Sequence, residues 1–252
     1  MPTNYQLPVL LYHRIVNQNC AIGKHKIYVW EKEFEKQMLY LHQQNFQCIT
    51  FEDLQKDPIQ NLNKKVILTF DDGYVDNFDI AFPILKKYDF KAIIFCVSKT
   101  TNNTWSNAEG EPAVALLNKT QAIEMRNYGI EFGAHTQTHP NLLLCRATEI
   151  KREIEGSRKD IENLLETQVI SFSYPFGACN KLIKKTTQDA GYKFAVSTNK
   201  GASFFSEDPF QIRRIEVTPK TSLRSFKKKV SGYYFSSNTF FLLRFWTKKK
   251  RV

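Results

Sequence analysis

Val66-Ile67-Leu68-Thr69-Phe70-Asp71-Asp72-Gly73-Tyr74 is an apolar run that stops abruptly on two carboxylates and a glycine. A run of this kind, bounded by a turn residue, reads as a buried strand. Outward from it, similar runs lie at residues 7–13, 47–50, 91–97, 130–134, 169–173, 193–197 and 212–217. Between them are stretches with helical spacing. Residues 30–44 place Phe34, Met38 and Leu41 on one face, and further helices are expected at 51–54, 75–88, 120–128, 148–166 and 180–190. Gly129 and Gly191 close two of these. Residues 100–112, rich in Asn, Thr and Gly, read as a loop. Strands alternating with helices argue for an α/β fold with a parallel sheet and helical crossovers. Seven or eight strands suit a barrel, closed or nearly so. His13, Asp71, Asp72, His135 and Pro175 then fall at carboxyl ends of strands, where such barrels assemble their reaction centres.

Neighbouring carboxylates at a strand end resist ionising together unless a cation or a proton separates their roles. A metal could take one and leave the other as a base. The stretch His135-Thr136-Gln137-Thr138-His139-Pro140 offers the remaining ligands. A His-x3-His spacing places both imidazoles on one face of a helical turn. Two imidazoles and one carboxylate make a three-ligand site for a zinc-like ion, with a position left for water. Asp72, His135 and His139 are the expected ligands. Zinc comes first, with cobalt, nickel or manganese as alternatives. Alone, the histidine pair reads first as two unrelated residues. The aspartate pair at another strand end is what turns it into a site.

Thr69-Phe70-Asp71-Asp72-Gly73 and His135-Thr136-Gln137-Thr138-His139-Pro140 resemble the first two motifs of the polysaccharide deacetylases, also called the NodB-homology or carbohydrate esterase 4 family. Ser173-Tyr174-Pro175-Phe176-Gly177 is similar to a third. The resemblance covers residues 7–217. It implies a distorted (β/α)7-8 barrel and metal-dependent hydrolysis of an acetyl group on a carbohydrate. It gives Asp71 the role of base and Asp72, His135 and His139 the metal. The backbone N–H of Phe176 would serve as oxyanion donor, in a turn fixed by Pro175 and Gly177. Tyr74, Tyr174 and Pro175 are expected against the substrate.

Two departures stand out. Many members carry a late histidine as the acid, and this chain has no histidine after His139. Pro8-Val9-Leu10-Leu11-Tyr12-His13-Arg14, however, resembles the N-terminal segment of the poly-β-1,6-N-acetylglucosamine deacetylase branch, which implies His13 as the acid. Ser173 stands where many members have an arginine that orients the base. Arg213 or Arg214 could reach Asp71 instead, and Arg214 is taken as the candidate. His25 and His42 carry no partner signal.

Composition bounds the rest. The 252 residues suit one large core, and the five cysteines are odd in number and lack CxxC spacing, against a disulfide framework and mildly for a reducing compartment. The net charge of +11 is uneven: after Glu216 the chain has no acidic residue, but it holds Lys220, Arg224, Lys227, Lys228, Lys229, Arg244, Lys248, Lys249, Lys250 and Arg251. A domain over 1–217 and a basic, aromatic tail over 218–252 follow. The tail reads either as a peripheral contact with an anionic bilayer or as a helix on the barrel with a charged end. Nucleic acid is not an expected partner, because the basic residues cluster outside the domain without a binding motif. No secretory signal opens the sequence. The expectation is a cytoplasmic enzyme, peripheral on the inner membrane face. It would remove an N-acetyl group from an N-acetylhexosamine of a surface glycan, or of its lipid-linked or lipopolysaccharide precursor. An exported poly-N-acetylglucosamine deacetylase and an inactive carbohydrate-binding relative are the alternatives.

Overall fold

The computed structural model describes residues 6–56, 62–107, 109–198, 208–232 and 234. In chain order the elements are β1 (Val9–Tyr12), β2 (Arg14–Val16), β3 (Tyr28–Trp30), α1 (Glu31–Gln43), β4 (Gln47–Cys48), α2 (Phe51–Lys56), β5 (Lys65–Phe70), α3 (Phe82–Lys87) and β6 (Ile93–Cys96). There follow α4 (Thr104–Asn107), α5 (Lys119–Tyr128), β7 (Glu131–Ala134), α6 (Ala147–Leu165), β8 (Ser171–Ser173), α7 (Lys181–Asp189), β9 (Phe194–Val196), β10 (Ile215–Glu216) and α8 (Leu223–Lys229).

The main sheet runs β10-β1-β5-β6-β7-β8-β9, with β4 on the first residues of β5, and its pairings are parallel. It curls until one segment meets both edges. Ile212 bridges in parallel to Val196 of β9, while Ile215 pairs with Leu10 of β1. The result is the distorted (β/α) barrel that the alternation predicts, wrapped by helices.

The period of two along each strand divides the apolar residues into two cores. Leu10, Tyr12, Val66, Leu68, Phe70, Ile94, Phe132 and Phe172 face outward and pack under helices, with Phe34, Met38 and Leu41 of α1 among their partners. Val9, Ile67, Ile93, Phe95, Ile170, Val196 and Ile212 fill the barrel interior. Gly133 lets the interior close. A Cβ there would meet the Phe95 ring at 2.4 Å and Ser171 Oγ at 2.7 Å. Toward the carboxyl ends the inward positions turn polar, so Ile67 is followed two residues on by Thr69 and then by Asp71.

Three features differ from the sequence expectation. Residues 14–16 and 28–30 pair as the small parallel sheet β2–β3, which short runs without clear alternation conceal. The helix expected over 75–88 opens as a π turn, Asn77–Ala81, before α3. Pro83 in the first turn of α3 has no N–H to give a regular ladder. The loop over 100–112 contains the single turn α4.

Within the basic C-terminal segment, α8 packs on α1. Phe226 is buried in the outer core, and Lys227 Nζ lies 4.9 Å from the Tyr40 ring centroid. This first part of the expected tail therefore joins the barrel's helical coat, while Phe240 to Trp246 and Lys248 to Arg251 lie outside the described residues. Among the described residues no helix is long and apolar enough to cross a membrane.

The opposite end of β7 from the motif histidines carries Glu131, buried inside the barrel. It accepts from Ser171 Oγ at 2.6 Å and from Glu52 N at 2.9 Å. Burial outweighs these donors and pushes its pKa from 4.5 up to about 7. The fold therefore holds this proton more tightly than the unfolded chain. The stabilisation is complete below about 4.5 and is lost as pH rises through about 7, on the order of 3 kcal/mol across the window. Urea denaturation at pH 5 and pH 8 is expected to show this loss in the wild type and a flattened response in Glu131→Gln. An equal loss in both would remove Glu131 as its source.

Candidate active site

At the carboxyl end of β5 the chain turns sharply. Asp72 and Gly73 both have φ of +74°. This left-handed pair sends the Asp71 and Asp72 side chains to different partners instead of one shared site.

Asp71 belongs to a closed polar knot inside the barrel mouth. Arg214, fully buried, donates from Nη1 to Asp71 Oδ1 and from Nη2 to Asp71 Oδ2, each at 2.6 Å. The remaining guanidinium donors reach Thr69 Oγ1 at 3.1 Å, Ser173 Oγ at 3.0 Å and Ser197 O at 2.9 Å. Ser173 Oγ in turn donates to Asp71 Oδ2 at 3.1 Å. The planar fork of arginine matches a carboxylate in this way, which lysine cannot do. Burial alone would raise the pKa of Asp71, but the Arg214 charge, with His135 nearby, holds its carboxyl well below the usual range. Arg213, the other sequence candidate, is only partly buried; the guanidinium in the knot is that of Arg214.

Asp72 faces two histidines. His135 Nε2 and His139 Nε2 each lie 3.4 Å from Asp72 Oδ1. One potential ligand atom from each of the three residues falls within 4.8 Å of the others, and all three residues are buried. Asp72 Oδ1 has no hydrogen-bond partner. A buried carboxylate oxygen without a donor carries a desolvation cost that a cation would remove. The spacing suits one: tetrahedral ligands at zinc distances sit about 3.3 Å apart. His135 Nδ1 meets Ser173 O at 2.7 Å, which fixes the tautomer with Nε2 free to ligate. Burial pushes His139 down to about 4, its neutral ligand form. For His135 burial also acts downward, but Asp71 and Asp72 prevail and raise it. The two carboxylates thus favour positive charge between them, as a proton on His135 or as a metal ion. The donor set fits a divalent ion of the zinc class.

The histidines do not sit on a helical turn. His135 directly follows β7, and Thr136 and His139 have φ of 68° and 60°, so the residues between form a strained loop. The i, i+4 spacing brings them together by that route. Glu153 of α6 holds the loop. Its carboxylate accepts from Gln137 N at 2.8 Å, Thr138 N at 2.9 Å and Thr138 Oγ1 at 2.9 Å. Gln137 packs against Gly156, where a Cβ would meet it at 2.5 Å. Nothing in the sequence links Glu153 to the motif beyond its place on the inward face of a helix.

The third motif forms a tight turn with Phe176 in the left-handed region, φ 59° and ψ 9°. Gly177 N and Ala178 N are used within the turn, and among the described residues the Phe176 N–H has no acceptor. The Phe176 side chain is exposed. Tyr174 and Pro175 need correction. Tyr174 is fully buried, packs on Phe172 and donates its hydroxyl to Phe210 O at 2.9 Å, so it belongs to the core. Pro175 is buried too and shapes the turn without lining the cavity.

The two aspartates, both histidines and Phe176 open on one cavity of about 440 Å³. His13, Asp71, Asp72, Tyr74, His135, His139 and Phe176 line it. His13 is placed by Asn77 Nδ2, which donates to His13 O at 2.8 Å. Beside it Arg14 Nε pairs with Asp76 Oδ2 at 2.7 Å and lies over the Tyr74 ring. The π turn lets Asp76 and Asn77 reach back to β2 in this way, a common use of such turns. His25, which carried no signal, pairs with Glu109 and lines the outer wall.

Comparison with known proteins agrees with this geometry. Residues 59–195 match the model of the family described as "Polysaccharide deacetylase". The chain is 32% identical over 224 residues to the Bacillus subtilis (strain 168) protein YxkH, whose name assigns it to the polysaccharide deacetylases, covering 88% of this chain and 75% of that one. It is 24% identical over 201 residues to a poly-β-1,6-N-acetyl-D-glucosamine N-deacetylase of Staphylococcus aureus (strain MRSA252), covering 75% and 68%. The structure of the Streptococcus pyogenes deacetylase PplD in complex with acetate superposes with a TM-score of 0.76 at 26% identity, over 89% of this chain and 98% of that one. Barrel, motif geometry and relatives agree: the chain belongs to the polysaccharide deacetylase family.

Proposed function

We propose that the chain is a metal-dependent N-deacetylase that releases acetate from N-acetylhexosamine units of a glycan. The observation that carries this reading is the division of the aspartate pair. Asp71 is locked on Arg214, and Asp72 faces His135 and His139 with an oxygen that has no donor. Asp72, His135 and His139 would hold the ion, with zinc the first choice. When bound, such an ion lowers the pKa of a water and polarises the acetyl carbonyl.

The chain's own groups divide the remaining work. Asp71 takes the proton of the attacking water as its oxygen bonds to the carbonyl carbon. The unused N–H of Phe176, aimed by its left-handed conformation, donates to the developing oxyanion. His13 returns a proton to the sugar nitrogen as the C–N bond breaks, leaving acetate and a free amine. Arg214 and Ser173 hold the Asp71 carboxylate in place, so the arginine usual at the third motif is replaced by one just before the last strand.

Acetate release from N-acetylglucosamine oligomers, with and without chelator, tests the reading. Activity is expected to vanish with chelator and return with added zinc or cobalt. Release that persists in chelated protein free of metal would sink the metal site. Asp71→Asn is expected to lower kcat by roughly 100- to 10,000-fold with bound metal unchanged by elemental analysis. Arg214→Lys keeps the charge and loses the fork. Its kcat is expected to fall on the order of 100-fold, the cost of about 1 Å of misplacement, and full activity would show that the fork is dispensable.

A further inference from the structure

The two motif histidines are held in different ways. His135 has the hydrogen bond from Nδ1 to Ser173 O that ligating histidines ordinarily have on their distal nitrogen. His139 Nδ1 is buried and has no hydrogen-bond partner. What surrounds the His139 ring is aromatic. The Trp105 ring stacks on it, with centroids 4.6 Å apart and planes at 24°, and Phe176 meets it edge-on at 5.0 Å and 70°.

Trp105 itself is firmly carried. It sits on α4, and the buried Asn103 just before α4 knits that loop together. Asn103 Nδ2 donates to Ser106 Oγ at 2.8 Å and to Pro112 O at 3.0 Å, while its Oδ1 accepts from Val114 N at 2.7 Å. The indole is thus presented to His139 from a fixed frame.

We propose that Trp105 is a positioning residue for His139, its indole face doing by stacking what a hydrogen bond does at His135, so that the site's affinity for a divalent ion depends on an aromatic ring at position 105. This rests on the reading that Asp72, His135 and His139 hold that ion. The stack is coupled to loading as well as to orientation. An imidazole that gives electron density from Nε2 to a cation becomes electron-poor, and its attraction to the electron-rich indole face increases.

The test measures affinity of the full chain for Zn²⁺ and Co²⁺ by competition with a chromophoric chelator, without substrate. Trp105→Leu, which keeps apolar bulk and removes the ring, is expected to weaken binding by roughly tenfold or more, as loss of an outer-shell partner does. Trp105→Phe is expected to stay near the wild type. Trp105 is only partly buried, so both variants should unfold at the wild-type denaturant midpoint in chelator; if the leucine variant does not fold, Trp105→Gln carries the same comparison. Wild-type affinity in the ringless variant, or equal losses in the ringless and phenylalanine variants, would overturn the proposal. A wild-type chain that binds neither ion would overturn the metal-site reading instead.

Discussion

The bidentate pair between Asp71 and Arg214 is the constraint around which the barrel mouth is built. Both groups are buried, and removing either partner would strand a charge at a cost of about 3–5 kcal/mol. The pair also ties distant parts of the chain. Asp71 follows β5, while Arg214 lies in the segment that meets β9 on one side and β1 on the other. Ser173 belongs to the same knot through its hydroxyl, and its carbonyl holds His135. One short residue of β8 thus fixes the geometry of the proposed base and of a proposed ligand together.

Much of this was legible in the sequence, for a physical reason. Apolar runs ending on charged residues declare strands that bury their length and carry polar groups at their tips, and the alternation with helices declares the parallel sheet. Asp71, Asp72, His135 and His139 could be picked out because their chemistry is compressed into two short stretches. Arg214 was reachable because an arginine was missing at Ser173 and the last strand offered one. The interior division into Val9, Ile67 and Ile93 on one face and Leu10, Leu68 and Ile94 on the other follows from the period of two alone.

What remained hidden depends on tertiary contacts that leave no local signal. A glutamate in the middle of a helix, Glu153, holds the loop between the histidines. A tryptophan in a polar loop, Trp105, reaches one of them. The helical reading of His-x3-His failed because its spacing is shared by a loop with two left-handed residues. The motif resemblance put Tyr174 against the substrate, whereas the tyrosine turns into the core and its neighbour Phe176 is exposed. Near-neighbours in a tight turn point in opposite directions, and a motif does not say which one faces out.

The late arrival of Arg214 has a bearing on synthesis of the chain. A polypeptide emerging from its N-terminus places Asp72, His135 and His139 long before residues 212–216 close the barrel. Until that closing segment docks, Asp71 is a carboxylate without its partner, beside ligands already present. A nascent or clipped chain ending short of residue 212 would carry every proposed metal ligand and still have no oriented base. The order of the sequence thus makes chemical competence a late acquisition of the fold.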